Sequence, residues 1–381
     1  MRISILCGGS RVFGTEVVAL TLAAGLKARG HDVFMLCSGW NNGEFPRRLT
    51  SAGIPFETIF LGRISKSLHP REIWYTIDAL RHVPGARRQL RDHFRSFNPD
   101  IVLVYIRDWM ILALPTLRGY STIFHVHEKP EPSRSNKRAY PALSKTLAAM
   151  VAASNHIARG LEQVGVAASK IKVIQNGLSF GPIPADTVAA PKRPPTVGII
   201  GQIGEWKGHD DMLVALVDLR ERGILFACSI FGAGEDSYIR ALKKKAEAAG
   251  IADAITWHGY ESRLDVMYGS IDVCAVPSRF EEPFGLVAVE AASRGIPVVA
   301  TSHGGLSEIV VDGTTGFLIP PRSPKQLADR LAALLQDDAL RKSLGHAAMV
   351  RARRLFAADR MVSDFENFCA AIVNGAAAQP R

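Results

Sequence analysis

The chain reads as an α/β protein of two domains, each a parallel sheet with helices on both faces, with a cleft between facing strand ends. Three observations predict this. Short apolar runs alternate with stretches that are apolar at helical spacing, in two successive blocks. Between the blocks, Pro182, Pro184, Pro191, Pro194 and Pro195 interrupt every period, marking a linker over 181–195. The 381 residues suffice for two or three domains of usual size.

In the first block, 1–180, Ile3 to Cys7 is a strand that leads through a glycine loop into a helix from Val17 to Arg29. Gly30-His31-Asp32 then turns the chain into a strand from Val33 to Cys37. Phe56 to Phe60, Ile101 to Ile106 and Thr122 to Val126 follow as strands, and Asn98-Pro99-Asp100 marks entry to the second of these. In the second block, 196–356, the strands are Val197 to Ile200, Phe226 to Phe231, Ile255 to His258, Ile271 to Val276 and Val298 to Thr301. Strand–helix–strand order repeated in this way implies parallel pairing.

Composition fits a globular protein, with 47% hydrophobic and 22% charged residues and no fixed-period repeat. The opening strand is too short for a signal-peptide core, and no apolar run reaches the roughly 18 residues of a membrane span, so neither a secretion signal nor a transmembrane helix is expected. Cys7, Cys37, Cys228, Cys274 and Cys369 show no paired or metal spacing and read as free, mostly buried thiols in a reducing cytoplasm. Charge is uneven: up to Phe180 there are 24 Lys and Arg against 12 Asp and Glu, and beyond it 22 against 24. Arg81, Arg87, Arg88, Arg91 and Arg95 contribute much of the excess. They are either a solvated helix face or a surface for anionic headgroups or a phosphorylated acceptor. No recognition motif accompanies them, so nucleic acid is not expected as a partner.

The most informative segment is Glu281-Glu282-Pro283-Phe284-Gly285-Leu286-Val287-Ala288-Val289-Glu290, which sets Glu282 and Glu290 across a loop-to-helix junction. The helix is expected from Phe284 to Arg294, stopping at Gly295-Ile296-Pro297. Glu290 then lies near two turns into it, so the two carboxylates would hold different hydroxyl-bearing parts of one extended ligand. The amides of Phe284, Gly285 and Leu286 between them favour an anion. Hydroxyls at both ends with phosphate between describe a nucleotide sugar; otherwise these are ordinary acidic residues of a surface helix. After the strand Val298 to Thr301, Gly304 and Gly305 allow backbone to approach a ligand closely, or form a simple turn. The loop Gly201-Gln202-Ile203-Gly204-Glu205-Trp206-Lys207-Gly208 offers Lys207 as a point charge suited to a diphosphate, or as an exposed turn lysine. His125 and His127 share one face at a strand end, where a near-neutral histidine can hydrogen-bond a hydroxyl. No further ligands complete a zinc set around them, and no metal is expected.

From Pro277 to Phe317, the spacing of Glu282, Glu290, Gly304-Gly305, Glu308 and Asp312-Gly313-Thr314-Thr315-Gly316-Phe317 resembles the donor-binding half of retaining glycosyltransferases of family four. The resemblance implies the GT-B fold, two doubly wound Rossmann-like domains, with a terminal helix over 357–373 crossing back onto the first. It also implies that Glu282 touches the donor sugar, Glu290 the ribose hydroxyls, and the amides of Phe284 to Leu286 and Lys207 the diphosphate. His127, followed by Glu128, matches the family's histidine beside the reacting sugar, and Gly14 matches a glycine of the first-domain loop. The chain departs from the pattern at Gln202, where an arginine is usual, at Phe13 for a glycine, at Gln175 for the proline before Asn176-Gly177, and at Ser179 for an aspartate.

The expectation is therefore a metal-independent retaining transferase without a cofactor. It would move a sugar from a nucleoside diphosphate sugar to a glycan, lipid-linked or small-molecule acceptor, in cell-envelope or polysaccharide synthesis. His127, Lys207 and Glu282 carry the chemistry, and Gly14, Gln202, Phe284 to Leu286, Glu290, Gly304 and Gly305 bind substrate. It would be cytoplasmic and able to sit at the inner membrane face. Two alternatives stay open: a nucleotide-sugar epimerase of the same architecture, and a membrane-surface binding protein that has lost turnover.

Overall fold

The structure, a computed structural model, describes residues 1–9, 11–62, 64–65, 69–181 and 193–377. It divides into two compact units, Met1–Ser179 with Ala357–Arg381, and Phe180–Phe356. Most of the stretch expected to be the linker, 182–192, lies outside the described residues.

In the first unit, β1 (Arg2–Leu6), β2 (Asp32–Ser38), β3 (Phe56–Ile59), β4 (Ile101–Val104), β5 (Thr122–Val126), β6 (Ala149–Ala152) and β7 (Ile171–Val173) form one parallel sheet in the order β3-β2-β1-β4-β5-β6-β7. Strands such as Ile-Val-Leu-Val in β4 are buried on both faces, which is why they read as continuous apolar runs rather than as alternation. The helices are α1 (Gly14–Ala28), α2 (Glu44–Ser51), α3 (Pro70–Phe97), α4 (Arg107–Leu117), α5 (Arg134–Ser144) and α6 (Asn155–Gln163). α3 starts with Pro70 in its first turn, where the His69 ring accepts from the Arg71 N–H, and ends at Asn98 in the left-handed conformation. The C-terminal helix, Ala358–Ala377, belongs to this unit. A Cβ on Gly25 of α1 would lie 2.4 Å from Val362, and the Glu366 carboxylate meets Arg29 and His31 at 2.8 Å each, so the helix packs tightly on α1.

The second unit holds β8 (Thr196–Ile200), β9 (Ala227–Phe231), β10 (Ile255–Gly259), β11 (Val273–Val276), β12 (Val298–Thr301) and β13 (Gly316–Ile319), again all parallel, in the order β10-β9-β8-β11-β12-β13. Its helices are α7 (His209–Glu221), α8 (Asp236–Ala248), α9 (Leu264–Gly269), α10 (Leu286–Ala292), α11 (Leu306–Ile309), α12 (Pro324–Gln336) and α13 (Asp338–Leu355). Each sheet has its own core, one built on Leu6, Val104, Phe94 and Phe124, the other on Ile199, Leu216, Ala275 and Leu331. Both sheets are doubly wound: strand order reverses beside β1 in one and beside β8 in the other.

Several boundaries differ from the sequence reading. β11 begins at Val273 rather than Ile271; just before it, the Asp272 carboxylate accepts from the Thr196 N–H at 2.7 Å and from Arg193, while the Asp272 N–H donates to the Thr196 carbonyl. α10 is shorter than expected at both ends. β6, β7 and β13 were not foreseen: Ala-Met-Val-Ala is as typical of a helix as of a strand, Ile-Lys-Val is three residues with a lysine at its centre, and Gly-Phe-Leu-Ile opens on a glycine. All five cysteines are free and buried, and burial pushes the thiols up, Cys37 to about 11. Among the described residues no helix is long and apolar enough to cross a membrane.

Candidate functional site

In a doubly wound sheet, ligands bind outside the carboxyl ends of the strands where strand order reverses. In the second unit that point lies between β8 and β11. The loops leaving these two strands carry Lys207 and Glu282 and bring them together: Lys207 Nζ donates to Glu282 Oε1 at 2.5 Å, and the buried Ser278 hydroxyl donates to the same oxygen at 2.6 Å. Arg279, in the same loop as Glu282, donates through Nε and Nη2 to the Asp211 carboxylate at 2.8 Å each, and its backbone N–H donates to the Trp206 carbonyl. Two loops separated by about 75 residues are thus tied by ion pairs and backbone together. Gln202, at the place where an arginine is usual, is exposed.

Gly304 and Gly305 make a close approach, but to protein rather than open space. A Cβ on Gly304 would fall 2.4 Å from the Glu282 carbonyl oxygen, and one on Gly305 2.5 Å from Phe284, while the Gly305 N–H donates to the Glu282 carbonyl at 2.7 Å. The pair thus lets the loop after β12 lie directly against the loop that holds Glu282.

The chain enters α10 at Gly285, whose φ of 109° is open to glycine and strained for other residues. The Phe284 side chain is buried, edge-on to Phe356 at 5.6 Å, and anchors the junction from below. Because the helix starts at Leu286 and not Phe284, Glu290 lies about one turn in, nearer to Glu282 along the helix than the sequence reading placed it. Tyr268 on α9 donates to Glu290 Oε2 at 2.6 Å, and Arg294 stacks its guanidinium over the Tyr268 ring at 4.8 Å while donating to the Glu290 carbonyl. Burial raises the Glu290 carboxyl against the lowering pull of the Tyr268 bond and Arg294. Tyr268 and Arg294 escaped the sequence reading. Arg294, four residues after Glu290, was the readable half of that signal; α9 gave none.

In the first unit the reversal lies between β1 and β4. Gly14 opens α1, and the buried Glu16 carboxylate accepts from the Gly9 and Phe13 N–H groups at 2.9 Å each, folding the loop back on the helix start. At the end of β5, His125 Nδ1 and His127 Nε2 lie 3.2 Å apart, with Tyr105 stacked on His127 and Phe365 edge-on to His125. His125 is fully buried, and burial lowers its ring well below the usual histidine range; burial also pushes His127 down to about 3. Both rings are neutral at physiological pH, so one N–H lies between them and the pair holds a fixed tautomer relation. His125 Nε2 and the Tyr105 hydroxyl are buried without a hydrogen-bond partner among the described residues. Among those residues no group of three or more His, Cys, Asp or Glu is set to hold a metal ion.

Comparison with known proteins follows the same division. The family model described as Glycosyltransferase Family 4 matches residues 12–180, and that described as Glycosyl transferases group 1 matches residues 185–351. A D-inositol 3-phosphate glycosyltransferase of Xylanimonas cellulosilytica is 33% identical over 222 residues, 54% of this chain and 53% of the relative, so the match spans about half that relative's length. A glycogen synthase of Mycobacterium tuberculosis is 28% identical over 372 residues, 91% of this chain and 86% of the relative. In three dimensions the chain is similar to Anabaena HepE, solved in complex with UDP and glucose, at a TM-score of 0.81 and 19% identity over 97% of this chain and 100% of that one. With its two halves matched by the two glycosyltransferase family models, and its fold followed by a solved neighbour over 97% of its length, this chain belongs to the glycosyltransferases of family four and has the GT-B fold.

Proposed function

We propose that the chain is a retaining, metal-independent glycosyltransferase that moves a sugar from a nucleoside diphosphate sugar to a glycan, lipid-linked or small-molecule acceptor. The observation that carries this reading is the Lys207–Glu282 pair at the reversal of the second sheet, with Glu290 held by Tyr268 about one turn into α10. Lys207 can exchange the Glu282 carboxylate for a donor diphosphate, which frees Glu282 to accept from sugar hydroxyls. Glu290 Oε2 is occupied by Tyr268, so Oε1 is the oxygen offered to a ribose hydroxyl. The names of the relatives, a glycogen synthase and an inositol-phosphate glycosyltransferase, and the UDP and glucose bound by HepE support this donor class.

In the reaction, the bond from the anomeric carbon to the β-phosphate oxygen breaks and its electron pair leaves with the diphosphate. Lys207 and the open first turn of α10 stabilise that growing charge, the task a divalent ion performs elsewhere. The acceptor hydroxyl forms the new bond on the same face, and its proton passes to the departing phosphate oxygen. His127, neutral, hydrogen-bonds the sugar. No carboxylate is assigned as a nucleophile, since Glu282 is given to the sugar hydroxyls and Glu290 to the ribose. The basic first half fits a phosphorylated or lipid-linked acceptor met at the inner membrane face, in cell-envelope or polysaccharide assembly.

The test offers UDP-, GDP- and ADP-sugars, in chelator, with and without membrane extract, and follows nucleotide release, labelled sugar and the anomer formed. Extract-dependent transfer with the donor's anomeric configuration kept supports the reading. Acceptor-free isomerisation of the donor, an inverted product, or an absolute need for added divalent ion each removes part of it.

A further inference from the structure

We propose that the outward face of α3 is a docking surface for an anionic lipid bilayer, its first half inserting apolar side chains at headgroup level and its second half binding headgroup phosphates through arginine. This extends the membrane-face part of the reading above, and its test needs no turnover.

Helical spacing divides α3 cleanly. Ala79, Val83, Ala86, Leu90 and Phe94 are buried and pack into the unit's core. On the opposite side, Trp74, Ile77, Arg81, Pro84, Arg88, Arg91 and Arg95 recur at alternating steps of three and four and form a single stripe. A solvent stripe is ordinarily polar along its whole length. Here its first half is not: Trp74 and Ile77 are each 59% exposed, flanked by Leu80 at 47% and Ile73 at 41%. Four large apolar side chains side by side on one exposed helix segment exceed the scattered apolar residues a surface normally carries.

The second half says what covers them. Arg88, Arg91 and Arg95 follow on the same stripe, all exposed. Among the described residues the carboxylate that pairs with them is Asp92, at 4.0 Å from Arg88 and 3.9 Å from Arg95, the outer edge of ion pairing between exposed groups. Three guanidiniums against one carboxylate leave positive charge free, on the half of the chain that already carries 24 basic against 12 acidic residues. A helix that offers tryptophan and aliphatic side chains beside arginine matches a bilayer interface with anionic headgroups: tryptophan favours headgroup depth, and guanidinium pairs with phosphate bidentately. The bilayer is the occupant favoured, since its headgroup layer meets the apolar and the cationic half of one continuous stripe at once, and a protein partner is an outcome that the test separates.

The experiment uses the full chain with vesicles of phosphatidylcholine, alone or with phosphatidylglycerol, read by co-sedimentation and by quenching of tryptophan emission with brominated lipid. The variants are Trp74→Gln with Ile77→Gln, and Arg88→Gln with Arg91→Gln and Arg95→Gln. They alter exposed side chains only, and matched unfolding midpoints and unchanged nucleoside diphosphate affinity establish that the fold is intact. Expected is saturable binding that requires phosphatidylglycerol and weakens with salt. It should fall roughly a hundredfold in the arginine variant and roughly tenfold in the apolar variant, with bromolipid quenching lost when Trp74 is replaced. Equal binding to neutral vesicles, variants that bind as the parent does, quenching that survives loss of Trp74, or binding that disappears when a co-purifying protein is removed would each overturn the proposal. Loss of lipid binding with donor turnover intact defeats this inference alone; failure to bind any donor defeats the transferase reading and leaves this one standing.

Discussion

The two candidate sites, one in each unit, sit at equivalent points of two similar sheets, yet they hold their polar groups in opposite ways. In the second unit the groups are charged and already paired: Lys207 with Glu282, Arg279 with Asp211. In the first they are neutral and under-used: His125 and His127 share one hydrogen bond, and Tyr105 and the far side of His125 have none among the described residues. An ion pair keeps a cation desolvated and in place until an anion takes over its partner, so it suits a site that receives a diphosphate. A neutral pair in an aromatic cage has no charge to exchange and offers only direction, so it suits a site that orients hydroxyls. The same sheet topology thus carries a charged cluster in one unit and a neutral one in the other.

The sharpest way to break that contrast is to remove the cation. Lys207→Ala should lower kcat/KM by about 10²–10³, the range found on losing one electrostatic stabiliser of a developing oxyanion. The readout is initial nucleotide release at subsaturating donor, and Lys207→Arg should recover part of the loss. A fall of less than tenfold would mean that the pair is merely structural. Next in size, Glu290→Gln should weaken donor binding by about 1.5–3 kcal/mol through loss of a charge-assisted hydroxyl contact, measured by calorimetry with the nucleoside diphosphate. Unchanged affinity would remove the ribose assignment.

Acid stability tests the neutral half. Burial holds His127 at about 3 and His209, in the second unit, at about 4, whereas an unfolded histidine titrates near 6.5. The unfolded chain therefore binds more protons in this window. The stabilisation is fully present above about pH 6.5 and is lost as pH falls towards those values, at up to about 1.4 kcal/mol per pH unit for each histidine. Thermal melts across pH 7 to about pH 4.5 should show this slope, and His127→Gln should reduce it by about one proton while leaving the share of His209 and of His93 and His125, which burial also lowers. A slope unchanged in the variant would show that His127 titrates normally. The smallest effect belongs to Tyr268→Phe, which removes one hydrogen bond to Glu290 and should weaken nucleoside diphosphate binding by about 1 kcal/mol. A loss as large as that of Glu290→Gln would make Tyr268 a ligand contact and not a positioning residue.

Much of this was legible in sequence, for identifiable reasons. Buried parallel strands are apolar without interruption, so Ile101 to Val104 and Val298 to Thr301 stood out. Glycine and proline punctuate helix starts and stops, so the Glu282–Glu290 junction could be placed to within two residues. Contacts between distant segments left no such trace. Nothing near Lys207 announces Glu282, and nothing near Glu290 announces Tyr268, because each partner lies on a different strand-to-helix unit. The apolar half of the α3 stripe was likewise not singled out, because an apolar residue on a helix does not show by itself whether it faces the core or solvent, and the structure leaves Trp74 and Ile77 exposed.

What the sequence determined alone was periodic and local: two runs of alternating strands and helices, the excess of positive charge in the first half, and the residue types gathered at each strand end. The tertiary structure decided which of those residues meet. It closed the Lys207–Glu282 pair, set Gly304 and Gly305 directly against the loop that holds Glu282, and neutralised two histidines by burying them. The physical reason is that period and propensity act within a few residues along the chain. Pairing, desolvation and close backbone contact depend instead on which elements the sheet order brings side by side.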